Sequence, residues 1–385
     1  MKIAIAKETQ VDERRVALIP EVAARLQQQG AEIWVEAGAG ERSFFSDSTY
    51  EAIGAQVIGD LHSLWREADI VVKVGVLQDF EVDQLHEGSV VIGFLDPLGN
   101  PELIQKLADR KVTALSMEMI PRISRAQSMD ALSSQANIAG YKSVLIAAAT
   151  LPKYFPMLTT AAGTIRPAKV LVMGAGVAGL QAIATARRLG AVVEGYDIRP
   201  EVREQVQSLG AKFLDVTLEE DTVAEGGYAK EISETAQEHA RRILTEHVAA
   251  SDIVITTAQV PGRKAPLLMT EAMVKAMKPG SVIVDLAASQ GGNCEVTEAG
   301  KDVQKHGVTI VGPINLPSSM PVHASEVYSK NVLALLKLMI TQDGELNLDF
   351  EDEVISGACV THQGEIRSQR VKDALASYEA SIANS

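Results

Sequence analysis

Cysteine, positive charge and long apolar runs are all scarce in this chain of 385 residues. Cys294 and Cys359 are the only cysteines, and they lie far apart in no CxxC or Cys/His cluster. That spacing argues against a zinc site or a disulfide framework, fits a reducing cytoplasm, and implies no metal. Basic residues number 36 against 50 acidic ones, for a formal net charge of −14. A nucleic-acid backbone or an anionic bilayer would be repelled by most of such a surface, so nucleic-acid binding is not expected. No apolar run reaches the roughly 18 to 20 residues that a membrane span needs. The opening MKIAIAKETQ enters a strand directly, without the apolar core of a signal peptide, and a soluble chain with no direct membrane span is expected.

What is present is a glycine-rich turn between two strands. An apolar strand, Val170 to Met173, meets Gly174-Ala-Gly176-Val177-Ala178-Gly179; an Ala-rich helical stretch runs to Leu189, and a second strand, Val192 to Tyr196, ends at Asp197. A GxGxxG alone is a weak signal, but here strand, glycines, helix, strand and acidic residue follow in order, as in a dinucleotide-binding βαβ unit. Gly174 makes the tight turn, Gly176 lets the backbone approach a pyrophosphate, and Gly179 lets helix and strand pack closely. Amide groups at the helix start then face the phosphates. A carboxylate at Asp197 accepts hydrogen bonds from the ribose hydroxyls and repels a 2′-phosphate, which predicts NAD(H) rather than NADP(H).

Length suggests two or three domains, read here as two. The first ~120 residues alternate short apolar strands (from Ile3, Glu32, Ile70, Ser89 and Thr113) with amphipathic helices (from Pro20 and Pro101), and they carry no glycine fingerprint. A long buried helix from Ser134 to Thr150 bridges into the fingerprint unit, and further strands at Ile253, Val282 and Thr309 end in small residues. Residues 217–234 are acidic and read as a mobile surface loop. From Ala324 an apolar helical face returns to the first domain. The expected fold is α/β, with two Rossmann-like domains of mostly parallel, doubly wound sheets separated by a cleft. Residues 1–134 with 321–385 form the discontinuous first domain, completed by C-terminal helices, and 135–320 the NAD(H)-binding domain.

Arg14-Arg15-Val-Ala-Leu-Ile-Pro20, Lys73 in its apolar strand, the fingerprint, and Val284-Asp285-Leu-Ala-Ala-Ser-Gln290-Gly-Gly292 span the chain. With these motifs the chain resembles the family containing alanine dehydrogenases and the NAD(H)-binding components of proton-translocating transhydrogenases. Two departures separate the branches. Asp96 stands where alanine dehydrogenases carry a catalytic His, and Ser289 where they carry a catalytic Asp. Reducing an imine needs proton transfers as well as a hydride, so an alanine dehydrogenase-like amino-acid dehydrogenase is the alternative reading. Arg15 and Lys73 keep it open, since those positions hold substrate in alanine dehydrogenases; a purely ion-paired role is the other possibility.

The segment Pro121-Arg122-Ile-Ser-Arg125-Ala-Gln127-Ser128-Met129-Asp130-Ala-Leu-Ser133 resembles the loop of the transhydrogenase component. Arg122, Asp130 and Ser133 supply the donors and acceptors that a nicotinamide carboxamide needs. The resemblance gives them that role, places Gln127 against the second nucleotide, and adds contacts at Ser128 and Met129. By resemblance also, Gly227 and Tyr228 close over NAD(H), while Val177, Ala178, Ile198, Arg199 and Gln259 line its site.

The implied reaction passes a hydride between NADH on this chain and NADP+ on a partner subunit, with no proton gained or lost by either ring. That explains a catalytic chain without a general acid or base. The implied partners are an NADP(H)-binding component and a membrane-spanning component that couples transfer to proton translocation, in the Re/Si-specific type. A homodimer is implied too, held peripherally at the cytoplasmic face of an energy-transducing membrane in the split-subunit form. A non-catalytic NAD(H) sensor is a third reading; it would have no need to orient a carboxamide.

Overall fold

The computed structural model describes residues 1–215, 234–341 and 343–383, so the expectations for Gly227, Tyr228 and most of the acidic loop lie outside the described residues. The chain divides into two compact units, Met1–Gln135 with Pro317–Ser385, and Ala136–Leu316.

Along the chain, the first unit supplies β1 (Lys2–Ile5), β2 (Glu32–Glu36), β3 (Gln56–Ile58), β4 (Ile70–Val72), β5 (Val90–Gly93) and β6 (Thr113–Ser116). The second unit follows with a hairpin of β7 (Leu158–Thr160) and β8 (Gly163–Ile165), then β9 (Lys169–Met173), β10 (Val192–Tyr196), β11 (Lys212–Phe213), β12 (Ile253–Thr256), β13 (Val282–Asp285), β14 (Asp302–Lys305) and β15 (Val308–Val311). The chain then returns to the first unit with β16 (Cys359–His362) and β17 (Glu365–Ile366).

The first sheet has the order β17-β16-β6-β5-β4-β1-β2-β3 and the second β11-β10-β9-β12-β13-β15-β14. Pairing is parallel throughout except at one edge of each sheet, where β16 and β17, or β14, run antiparallel. Each sheet is therefore doubly wound, reversing direction between β1 and β4 in one and between β9 and β12 in the other. Such reversals leave a crevice at the carboxyl ends of the strands. The strands are short β-branched runs because both faces are covered: Ile70 and Val72 face one apolar cluster and Val71 the other, and Ile253 and Ile255 oppose Val254 in the same way.

Three differences from the sequence reading have physical causes. The helix expected from Ser134 starts at Ala131, because Asp130 caps it. It is not buried along its length either: Gly140, Ser143, Val144 and Ala147 form a buried stripe, while Tyr141 and Thr150 are exposed. The first unit is completed by two C-terminal strands as well as by helices, since β16 pairs with β6.

Candidate functional site

The crevice of the second unit is built on the turn after β9. Gly174 has a φ of 100°, and a Cβ there would lie 2.5 Å from Thr257 Oγ1. Thr257, just beyond β12, donates that hydroxyl to Gly174 O at 3.0 Å, tying together the two strands that flank the reversal. A Cβ on Gly179 would lie 1.8 Å from Gly174 O, so this glycine is what lets the helix Val177–Arg188 sit against the turn. Gly176 differs from both. Its φ of −76° suits any residue, and a Cβ there would meet no described atom within 4 Å. Its openness lies at the start of a twelve-residue helix whose first amides have no helical acceptor. Val177 is 41% exposed beside it, with Ala178 half-buried. The helix buries Gly179, Ala182, Ile183 and Ala186, and it stops because Gly190 takes a φ of 91°.

Asp197 follows β10 and turns its carboxylate back to this loop. Its oxygens accept from Ala175 N at 2.7 Å, Arg199 N and Nε at 2.9 Å each, and Arg199 Nη2 at 3.0 Å. Ile198 packs partly buried against the apolar cluster beneath.

The far wall is one hydrogen-bonded frame. Asp285, fully buried at the end of β13, accepts from Thr256 Oγ1 at 2.9 Å, Ala287 N at 3.0 Å, Asn293 N at 2.8 Å, Cys294 N at 3.0 Å and Thr297 Oγ1 at 2.7 Å. Its role is thus to hold the loop. Asn293, also fully buried, accepts from Ala258 N at 3.0 Å and donates to Ala258 O and Pro266 O at 2.8 Å each. The exposed Gln259 donates to Leu286 O at 2.7 Å. Sequence reasoning named Asp285 and Gln259 but missed Asn293. Its signal was the preceding Gly291-Gly292, both left-handed, which turn the chain so that the amide comes under the neighbouring loop. Burial pushes the Cys294 thiol up to about 11 and that of Cys359 to about 12, which removes both as nucleophiles at neutral pH.

In the first unit, the segment from Arg122 folds as a 3-10 turn, Ser124–Met129, leading into the helix Ala131–Thr150. Ala126 and Met129 anchor it in the core, so Met129 offers only backbone, while Arg122, Gln127 and Ser128 are exposed. Asp130 accepts from Ser133 N at 2.8 Å and Ser133 Oγ at 2.6 Å, capping the helix and joining two of the expected residues directly. Two residues that local sequence gave no reason to choose position this turn. Asn331 donates to Ser128 O at 2.8 Å and accepts from Ser134 Oγ at 2.7 Å, and Asp352 accepts from Arg125 Nη1 and Nη2, at 2.9 and 2.6 Å.

The cations left open by the sequence are both closed by carboxylates. Lys73 is 0% exposed, its Nζ 2.6 and 2.8 Å from Glu81 and 3.9 Å from Glu8. Burial pushes the Glu8 carboxyl up to about 7, although Lys73 and the amides of Val74 and Gly75 favour its charged form. Arg15 donates to both Glu13 oxygens, at 2.8 and 2.5 Å, and to Gln135 Oε1 at 2.9 Å. Asp96 sits in a tight turn with a φ of 47°; a Cβ on Gly99 would lie 2.4 Å from its Oδ2. Glu118 accepts from the amides of Leu95 and Asp96 at 3.1 and 2.9 Å, and burial raises the pKa of both carboxyls. Ser289 is exposed on the 3-10 turn Ala288–Gln290. Among the described residues, no group of three or more His, Cys, Asp or Glu could hold a metal ion, and no helix is long and apolar enough to cross a membrane.

The family models for alanine dehydrogenase/PNT match twice, the N-terminal domain over residues 4–139 and the C-terminal domain over 143–369. An NAD(P) transhydrogenase alpha-subunit chain of Rhodospirillum rubrum is 48% identical over 374 residues, covering 95% of this chain and 97% of the relative. Alanine dehydrogenase 2 of Staphylococcus aureus (strain USA300) is 30% identical over 383 residues, covering 97% and 96%. A solved structure of transhydrogenase from Sinorhizobium meliloti matches with a TM-score of 0.84 and 43% identity, covering 96% of this chain and 99% of that one.

Proposed function

The chain belongs to the alanine dehydrogenase/PNT family, and on that premise we propose that it is the NAD(H)-binding component of a proton-translocating transhydrogenase. The observation that carries the choice of branch is the state of the first unit. Its two buried cations are closed by Glu13 and Glu81, Asp96 stands where alanine dehydrogenases keep a catalytic His, and in the second unit Ser289 stands where they keep a catalytic Asp. The His and the Asp that serve proton transfer in alanine dehydrogenases are both replaced at those positions.

The residues of the second unit fit a dinucleotide. Gly174 and Gly179 are fixed by contacts within the protein, whereas Gly176 is open to an incoming pyrophosphate. In this reading the amides at the start of the Val177–Arg188 helix hold the pyrophosphate, and Asp197 accepts from the adenosine ribose. Arg122, Asp130 and Ser133 orient the carboxamide, and Gln127 faces the second nucleotide. Gly227 and Tyr228 help keep water out. NAD(H) gives or takes the hydride; the chain's task is to fix the ring at near-attack distance, roughly 3 to 3.5 Å from its counterpart. The second unit, Ala136–Leu316, is then the NAD(H)-binding domain, and the first unit carries the carboxamide loop.

The counterpart NADP(H) is carried by a partner subunit, and a membrane component couples transfer to proton movement. The homodimer, the cytoplasmic face and Re/Si specificity belong to the same proposal. Two variants test the division of roles. Asp197→Ala weakens NADH binding, whereas Gln127→Asn leaves it nearly intact and slows transfer to NADP+; equal losses of binding in both would sink the assignment. NADH formation from L-alanine and NAD by the chain alone would favour the dehydrogenase instead.

A further inference from the structure

The turn assigned to the carboxamide is short and lies mostly at the surface. Gln127 and Ser128 are exposed on a 3-10 turn of six residues, whose own hydrogen bonds are weaker in geometry than those of an α-helix. Asn331 reaches it from the nineteen-residue helix Pro321–Met339, and is itself 7% exposed. Its Nδ2 donates to Ser128 O at 2.8 Å, and its Oδ1 accepts from Ser134 Oγ at 2.7 Å. Ser128 follows Gln127 and Ser134 follows Ser133, so one amide grips both ends of the stretch that carries Gln127, Asp130 and Ser133. The helix behind it is fixed in turn. Ser325 Oγ and Ser329 Oγ accept from Val16 N and Ile19 N at 2.9 and 3.0 Å, and Tyr328 donates its hydroxyl to Lys73 O at 2.8 Å. The other tie on the turn, from Arg125 to Asp352, lies at the surface with the arginine 46% exposed, where water and salt screen it. Asn331 is the stronger clamp.

We propose that Asn331 is a positioning residue for hydride transfer, setting from behind the turn where Gln127 meets the second nucleotide and where Asp130 and Ser133 hold the carboxamide. The inference rests on the transhydrogenase reading and deepens it. In that reaction a hydride leaves NADH and joins NADP+, giving NAD+ and NADPH, and the protein has only to place the two rings. Drift of about an ångström in the turn therefore falls on the rate, by up to roughly a hundredfold. NADH binding draws mainly on the glycine turn and Asp197 of the second unit, so it is largely spared. The task needs an amide: a donor for a carbonyl and an acceptor for a hydroxyl on one short side chain. Aspartate lacks the donor, and leucine lacks both.

The test is single-turnover transfer from NADH on the full chain to NADP+ on a purified NADP(H)-binding transhydrogenase component, with NADH titration and hydrogen exchange of the chain alone. Asn331→Leu removes both bonds and is expected to slow transfer by roughly tenfold to a hundredfold at saturating NADH. The NADH dissociation constant moves by less than about threefold, the pattern of an interaction that matters in the transition state. Exchange quickens at the amides of residues 124–134. Because Asn331 acts through Gln127, the loss in Asn331→Leu combined with Gln127→Asn falls short of the product of the two single losses, which a general loss of stability would not produce. Ser134→Ala breaks only the bond to Oδ1 and slows transfer severalfold; it decides the matter should Asn331→Leu fail to fold. Transfer at the wild-type rate in a folded variant, unchanged exchange over 124–134, losses that multiply fully, or NADH affinity that falls as far as the rate would each overturn the proposal. A wild-type pair that transfers nothing would instead overturn the functional reading, and exchange over 124–134 would still judge the clamp.

Discussion

Gly176→Ala separates a ligand-imposed glycine from a fold-imposed one. The backbone at Gly176 has a φ of −76° and a ψ of −168°, which alanine adopts freely, and the added Cβ meets no described atom within 4 Å. Folding therefore loses no contact. The unfolded chain loses conformational freedom, which stabilises by about 0.4 to 1 kcal/mol. For a unit of this size that is a rise of roughly 1 to 4 °C in Tm. Binding moves the other way. A methyl group at the mouth of the turn keeps a pyrophosphate from the helix amides, and each charged hydrogen bond lost there is worth about 1.5 to 3 kcal/mol, or roughly 10- to 150-fold in Kd. Differential scanning fluorimetry without nucleotide and NADH titration on the same preparation read the two effects. Gly179→Ala is the contrast: its Cβ would lie 1.8 Å from Gly174 O, so stability falls by ~1 to 3 kcal/mol along with binding. Undiminished NADH affinity in a stable Gly176→Ala would refute the placement of the pyrophosphate.

Four other predictions concern the frame and the buried charges. Asn293→Ala removes the side-chain partner of three backbone groups and should cost about 1 to 3 kcal/mol by urea denaturation, with NADH affinity reduced. Thr297→Val removes only one of the bonds to Asp285, so roughly 1 kcal/mol is lost and NADH affinity stays. Lys73→Met leaves Glu81 buried without its cation, at a cost of about 3 to 5 kcal/mol, most of which Lys73→Met with Glu81→Leu should restore; equal destabilisation in both would contradict the pairing. For Glu8 the sign is set by its raised pKa: the folded chain holds this proton more tightly than the unfolded one, so the stabilisation is present below pH ~4.5 and lost as pH rises through about 7. Thermal scans from pH 5 to 8 should show a steeper fall in Tm for the wild type than for Glu8→Gln, and identical slopes would rule that out.

The parallel core was legible because its strands are apolar runs that need no partner to declare themselves. Glu32–Glu36, Thr113–Ser116 and Val192–Tyr196 are read from sequence with the bounds that the fold gives them. Cys359–His362 was not, since four residues without alternation become a strand only through antiparallel pairing with the distant Thr113–Ser116 strand. Lys212–Phe213, two residues long, and Gln56–Ile58 were not legible either, each becoming a strand only through parallel pairing with its neighbour. In the candidate site, residues carrying local chemistry stood out: the glycines, Asp197, and Asp130 with Ser133. What holds them did not. Asn293 and Asn331 act by bonding backbone groups of other loops, and nothing in the residues around Asn331 announces its distant carbonyl partner at Ser128. Lys73 shows the converse, a residue conspicuous in sequence whose partner, Glu81, lies eight positions on and neutralises it.

The central claim is most directly tested by hydride transfer from NADPH to an NAD analogue, followed spectrophotometrically, with this chain alone, a purified NADP(H)-binding transhydrogenase component alone, and the two mixed. The account predicts transfer only in the mixture, abolished by Gly176→Ala. Transfer by either protein alone at the rate of the mixture, or none in the mixture while the chain by itself reduces NAD with L-alanine, would contradict it.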